Sequence, residues 1–328
     1  MTIGSLLVGG YTADGDGRAL GIRQLDVLAD GGLRDRGDIG LADSPTFLIR
    51  RGEVIIAAAE AAARIDSYRL VGERLERIAS HPAAGALPCH LALAGDQLIV
   101  SCYADGRVGR HSFAPDGSAG PVEQILESSA GTFPPNRGGG HAHYARTLDD
   151  GRVMTIDLGT DALYLHEQAR DGSLGRVGTT WLRPGSGPRH AARHASGHFY
   201  VITELSREIV VLDSEVQVVD YVDLEVASPA APSEIAVSDD GRFVYAAVRE
   251  QNLIVVFETF NEGASLRRVS AVDTGGDGPR QFLLRGRHLY VGNEHSDSVA
   301  IFDIGDDGIP AFRTSISVPS PVFFLELN

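Results

Sequence analysis

An all-β chain folded as a seven-bladed β-propeller is predicted by two observations. One short phrase recurs seven times at a period near 45 residues, and each copy leads into several short apolar strands separated by tight turns. The clearest copy is Gly187-Pro188-Arg189-His190. The copies start near Pro45, Pro88, His141, Pro188, Pro232, Pro279 and Pro321, with steps of 43, 53, 47, 44, 47 and 42 residues. No window carries a helical period of useful length.

The blades follow in order. In blade 1 the alanine run 57–63 falls in the second-strand slot, which predicts strand and then turn rather than helix. Blades 2 and 3 carry Asp116-Gly117, Asp149-Asp150-Gly151 and Asp171-Gly172, and blade 4 carries Ser196-Gly197, all hairpin-turn chemistry. Blade 5 reads Glu234-Ile235-Ala236-Val237, then Asp239-Asp240-Gly241, then Phe243-Val244-Tyr245-Ala246-Ala247-Val248, then an Ile/Val-rich segment 252–257. Blade 6 turns at Asp307-Gly308. The seventh copy supplies one strand, 322–327, before the sequence ends. Its missing strands are available at the other terminus, at 5–9, 21–28 and 37–41, with a turn at Asp30-Gly31. Closing the last blade from both termini removes open sheet edges. The expected organisation is a single propeller domain, 1–328.

Composition limits the partners. Lys and Arg number 29 against 44 Asp and Glu, a formal charge of −15, which argues against nucleic acid and anionic membrane as bulk partners. The first ten residues lack the basic start and long apolar run of a signal peptide, and no stretch is apolar enough for a membrane helix. A cytoplasmic protein, monomeric or weakly homo-oligomeric, is expected. With a turn at Gly95-Asp96, Cys89 and Cys102 are expected to face each other on adjacent strands as reduced thiols.

In a blade, the start of the first strand and the end of the second lie on the same face, near the axis. The starts are Pro88-Cys89-His90, His141-Ala142-His143, Pro188-Arg189-His190, Ser233-Glu234 and Pro279-Arg280-Gln281. The ends, 15 to 17 residues after each anchor, are Glu60, Tyr103, Asp157, Glu204, Arg249 and Glu294. Six polar or amphipathic residues in register after apolar strands point to a polar set at one mouth of the channel. The competing reading is of ordinary turn residues and surface ion pairs. Arg189 and Glu204, expected as direct cross-strand neighbours, fit either reading. Arg280 holds the matching position two blades on and is the stronger candidate for an anionic ligand.

His81, His111, His166 and His288 read as surface or outer-strand residues. His141 and His143 follow three glycines and straddle a small residue, so alternation predicts one shared face. Such a pair can be half of a metal site, with His90 or Asp157 to complete it, but proton transfer or ligand orientation is the preferred role. The longest step places extra length in 127–140, around Pro134-Pro135-Asn136-Arg137, a candidate lid. No nucleophile elbow, Walker sequence, dinucleotide fingerprint or zinc-finger spacing occurs. The only tryptophan, Trp181, leaves no Trp-Asp repeat signature.

Gly139-Gly140-His141-Ala142-His143, Asp157-Leu158-Gly159-Thr160-Asp161, Gly187-Pro188-Arg189-His190, Thr203-Glu204-Leu205-Ser206 and Gly278-Pro279-Arg280 resemble the seven-bladed lactonase family. That family contains bacterial propeller-type 6-phosphogluconolactonase and fungal carboxy-muconate lactonizing enzyme. Glu60, Pro88-Cys89-His90, Arg249 and the ending Val318-Pro319-Ser320-Pro321-Val322 extend the resemblance over the whole chain. Ala236 departs from the family's usual histidine, and Ala59 and Thr203 stand where it has Asn before Glu. The resemblance implies active-site roles for His141 or His143, Arg189, Glu204 and Arg280; taken with the polar set at the mouth, the expected catalytic residues are His141, His143, Arg189 and Glu204, and the expected substrate-binding residues are Arg280, Arg249, His90, Tyr103, Asp157 and Glu60. A small anionic lactone or sugar acid is the expected ligand, with no cofactor and no metal. The expected activity is lactone hydrolysis in carbohydrate metabolism, first of all on 6-phosphogluconolactone in the pentose phosphate pathway. The alternatives are muconate-type lactonization and a non-catalytic ligand- or partner-binding propeller.

Overall fold

A computed structural model of the chain describes residues 1–128 and 138–327. The described residues form seven four-stranded antiparallel sheets, the seven-bladed β-propeller that the repeat predicts. Two single-turn 3₁₀ segments, Ala13–Gly15 and Asn261–Gly263, are its non-strand elements. None of the described helices is long and apolar enough to cross a membrane. Blades 1 to 6 occupy 45–82, 88–126, 142–181, 188–223, 231–273 and 279–317. Blade 7 takes its first strand, Pro321–Leu327, from the C-terminus, then Thr2–Gly10, Gly21–Leu28 and Leu33–Leu41.

Most boundaries match the sequence. The alanine run is strand to Ala59 and turn from Glu60 to Ala63. Two strands of blade 7 are longer than expected, the one at Thr2–Gly10, expected over 5–9, and the one that ends at Leu41. The latter starts at Leu33 rather than 37, because Gly37, at φ +85°, lies beside a register shift inside the strand instead of ending it. The candidate lid 127–140 centres on 129–137, outside the described residues.

Backbone contacts divide the chain into two compact units. One comprises Met1–Ala29, Leu33–Pro184 and Phe323–Asn328, the other Asp30–Gly32 and Gly185–Val322. In the first unit, Leu7, Ile22, Leu48 and Ala57 pack between blades 7 and 1, and Ile56, Ala58, Leu91 and Val100 between blades 1 and 2. In the second, Ile202, Val211, Val244 and Phe257 fill the space between blades 4 and 5, and Ile254, Val291 and Phe302 that between blades 5 and 6. A middle strand thus has apolar neighbours on both faces. That is why Val54–Ala59 is buried throughout and shows no alternation.

The second unit repeats one tie. The fully buried Tyr200, Tyr245 and Tyr290 donate their hydroxyl protons to the carbonyls of Gly263, Gly308 and Gly31, at 2.8, 2.8 and 3.0 Å. Each acceptor is a glycine in the outer hairpin of the following blade. In the first unit, Gln97 Nε2 makes the corresponding bond to Gly172 O at 2.9 Å. Gly308 shows why glycine is needed. Its φ is +74°, and a Cβ there would come within 2.5 Å of the Phe243 ring.

Two histidines read as surface or outer-strand residues lie on outer strands but are buried. His111 and His166 are 0% and 1% exposed on third strands, because those strands are also covered on both faces. His166 Nε2 lies 3.1 Å from Thr155 Oγ1, and burial pushes its pKa down to about 4.

Candidate functional site

The feature that builds the site is a β-bulge repeated in blades 1 to 6. Just after the anchor residue of each first strand, one extra residue drops out of the pairing register: Thr46, Cys89, His143, Arg189, Ser233 and Arg280. A bulged residue is released from the ladder and its side chain is re-aimed. The end of the second strand closes the same corner. The N–H groups of Glu60, Tyr103, Glu204 and Glu294 donate to the carbonyls of Ser44, Leu87, Gly187 and Gly278 at 2.8 to 3.1 Å. All six predicted end positions therefore finish or directly follow a second strand.

The bulge corrects two expected pairings. Thr203, not Glu204, faces Pro188, and Arg189 is the extra residue. Arg189 and Glu204 still meet, with Nε 3.2 Å from Oε2, but as a bulge-to-loop ion pair. Likewise Pro88, not Cys89, faces Cys102. Both cysteines are free thiols, and burial raises the Cys102 thiol to about 12.

In the second unit, Glu204 lies between two guanidinium groups, since Arg249 Nη2 donates to its Oε2 at 2.7 Å. Arg189 is 3% exposed and also donates from Nη1 to the Ser233 carbonyl. The Ser233 hydroxyl in turn donates to Pro279 O at 2.7 Å, next to Arg280. Burial, then repulsion from Arg280 and Arg249, pushes the Arg189 guanidinium down to about 10, against the attraction of Glu204 and Glu234. Arg189, repelled by two other arginines although it pairs with Glu204, suits an added anion whose charge relieves the repulsion. Arg280 is half-buried and Arg249 and Glu204 reach solvent, while Arg189 is enclosed.

One position further along the strands lies a pair that sequence reasoning did not assign. His190 Nδ1 is 3.2 Å from both carboxylate oxygens of Glu234, and Glu234 Oε1 accepts the Ile235 N–H at 3.0 Å. Burial lowers the His190 pKa against the pull of Glu234. Burial alone would raise the Glu234 carboxyl, but His190, the Ile235 N–H and Arg189 bring it below the usual range. The signal lay in the period. His190 and Glu234 hold the same strand position 44 residues apart, and Arg189 and Ser233 also meet at a separation of 44.

In the first unit, Tyr103 gathers the histidines. Its ring stacks on His141 at 4.7 Å and meets His143 edge-on at 5.5 Å. Simple alternation is not the cause, since the strand starts at Ala142 and bulges at His143. His141 Nδ1 is 2.7 Å from the Tyr103 carbonyl, which only accepts, so Nδ1 carries the proton and Nε2 the lone pair. Cys89 Sγ lies 3.9 Å from His143 Nδ1. Asp157, 1% exposed, braces the loop by accepting from the His141 and Thr160 N–H groups at 2.9 Å and from the Ser128 hydroxyl.

His90 and Glu60 lie in separate surroundings. The His90 ring stands 4.2 Å from Phe47 and 4.4 Å from Tyr144, and its Nδ1 accepts the Ala145 N–H at 3.3 Å. Glu60 accepts from Thr46 Oγ1 at 2.5 Å and Tyr11 OH at 3.1 Å. Among the described residues, no group of three or more His, Cys, Asp and Glu gathers with metal-ligand geometry.

The chain is similar to known proteins. The family model described as lactonase, 7-bladed beta-propeller, matches residues 5–325. The 6-phosphogluconolactonase of Bacillus subtilis is 32% identical over 256 residues, covering 73% of this chain and 72% of that protein. The 6-phosphogluconolactonase of Formosa agariphila is 29% identical over 263 residues, covering 74% and 73%. Among solved structures, the periplasmic gluconolactonase of Pseudomonas aeruginosa superposes with a TM-score of 0.90 at 26% identity over 99% of each chain. A protein from Lactobacillus plantarum shares the fold, with a TM-score of 0.91 at 23% identity over the full length of both.

Proposed function

The chain belongs to the lactonase family of seven-bladed β-propellers, and from that membership we propose that it hydrolyses a sugar-acid lactone, with 6-phosphogluconolactone as substrate. The observation that carries the reading is the arginine cluster, with Glu204 held by Arg189 and Arg249 and with Arg280 close enough to repel Arg189. Arginine's fork of donors matches a phosphate or carboxylate. Relatives in Bacillus subtilis and Formosa agariphila carry the 6-phosphogluconolactonase name, which supports the substrate class.

Lactone hydrolysis needs an activated water, donors for the tetrahedral oxyanion, and a proton for the leaving alkoxide. Arg189 is assigned to the oxyanion, and Arg249 and Arg280 to the anionic group of the substrate. Glu204, committed to two guanidinium groups, orients them. In the first unit, the groups able to transfer a proton are His141, whose Nε2 lone pair is set by the Tyr103 carbonyl, and His143 beside it.

The test is turnover of 6-phosphogluconolactone by purified protein, read against a buffer blank because the lactone also opens spontaneously. Gluconolactone without the phosphate is the comparator. The expected result is faster turnover of the phosphorylated lactone, unchanged by exhaustive chelation. Rates at the blank for both lactones would refute the reading. Activity lost to chelation and restored by one divalent ion would move His141 and His143 to a metal site.

A further inference from the structure

We propose that His190 and Glu234 form a buried carboxylate–imidazole dyad that sets the charge and position of the arginine cluster, with Glu234 as its fixed counter-anion and His190 as a neutral donor locked in one tautomer. The proposal rests on the reading of that cluster as the anion-binding part of the site.

The geometry carries it. Both side chains occupy the position directly after a bulge, His190 beside Arg189 and Glu234 beside Ser233, the residue whose carbonyl holds Arg189. His190 is 7% exposed. With both Glu234 oxygens 3.2 Å from Nδ1, the imidazole donates from Nδ1 and keeps its lone pair on Nε2. The charged groups that act on His190 are Glu234, Arg189 and Arg280, so the two arginines oppose a further positive charge on the ring. Glu234 answers to His190 and Arg189, and its Oε1 is tied to the Ile235 N–H. A carboxylate in this place offsets the repulsion of Arg189 by Arg280 and Arg249 and keeps Arg189 protonated. It also weakens the grip of the cluster on any anion, which favours release of an acidic product.

The substitution that isolates the charge is Glu234→Gln. Its amide oxygen keeps the Ile235 N–H satisfied in the Oε1 place. That same oxygen lies 3.2 Å from His190 Nδ1, so the imidazole keeps its Nδ1 proton and its tautomer. Three readouts follow. Inorganic phosphate, measured by calorimetry on the folded full chain, should bind about tenfold more tightly in the variant. The KM for the phosphorylated lactone should fall together with the phosphate Kd. Nitrogen-15 NMR should show Nδ1–H in both proteins, so that the change in affinity reports charge alone, and Glu234→Asp should retain wild-type phosphate affinity.

A purely structural pair would instead lower the melting temperature and leave phosphate affinity and KM unchanged. Unchanged or weaker phosphate binding in a Glu234→Gln protein that melts like the wild type overturns the proposal. If that variant does not fold, His190→Asn decides. It replaces a neutral donor by a neutral donor and should hold phosphate affinity within about twofold, whereas a tenfold loss would mean that His190 is a cation and that the dyad is wrong. A wild-type protein that binds no phosphate overturns both this proposal and the anion-site reading. Phosphate binding without lactone turnover overturns the lactonase reading alone.

Discussion

Arg189 and Arg280 occupy the same bulge two blades apart, but burial separates them. Arg189 is enclosed and bonded to Glu204 and the Ser233 carbonyl, while Arg280 is half-buried. Arg280→Ala should therefore raise the KM for an anionic lactone about 10- to 100-fold, with a melting temperature within about a degree of wild type. Arg189→Ala should cost about 3 kcal/mol and also cut kcat, because a buried charge network loses a member. Glu204 keeps Arg249 in that variant, so the loss falls short of orphaning the carboxylate. Equal destabilisation by both changes, with normal kinetics for Arg280→Ala, would turn the cluster into structural ion pairs. A second prediction at this scale concerns acid. The folded pKa of His166 is depressed from 6.5 to about 4 by burial. The unfolded chain therefore binds the extra proton first as pH falls. Stability from this group is whole above about pH 6.5, declines between 6.5 and 4, and the full loss approaches about 3 kcal/mol. Urea unfolding at pH 7.5, 5.5 and 4 should show that slope, and His166→Phe should flatten it. Carboxylates held low, such as Asp35 beside Arg23 and Asp240 beside Ser238, add their loss only at lower pH.

At the scale of the element, the hairpins were legible because each blade repeats its turns and apolar runs, and the ends of the second strands follow by counting from the anchors. The bulge was not. One extra residue shifts the pairing without disturbing the apolar pattern, so Arg189 was placed opposite Glu204 and Cys89 opposite Cys102, each one residue out. The contacts between blades were legible only in hindsight. Glu204 meets Arg249 at a separation of 45, Ser233 meets Pro279 at 46, and Cys89 meets His143 at 54, so residues one period apart are neighbours. A pattern read within one repeat misses them. The tyrosine ties belong to this scale. Tyr245→Phe keeps the packed ring and leaves the Gly308 carbonyl without its hydroxyl donor. The expected cost is about 1 kcal/mol and about 2 °C in Tm, with kcat and KM unchanged. A variant as stable as wild type would show that the tie contributes nothing.

At the scale of the whole molecule, the last blade is the decisive element, because its first strand comes from the opposite end of the chain from the other three. Deleting 321–328 exposes the Thr2–Gly10 strand, uncovers Leu7 and Leu48 beside Phe323, and should lower Tm sharply in a single transition. An unchanged melt would mean that blade 7 is not a structural closure. The same arrangement sets an order in time. Leu6, Leu7 and Val8 are made about 310 residues before the strand that covers them. At about 5–20 residues per second, the ribosome leaves that apolar edge unpaired for roughly 15 to 60 seconds. Neighbouring nascent chains on one message carry the same open edge. The burden of keeping them apart falls on slow initiation or on chaperones that hold this strand until its closing partner has been made.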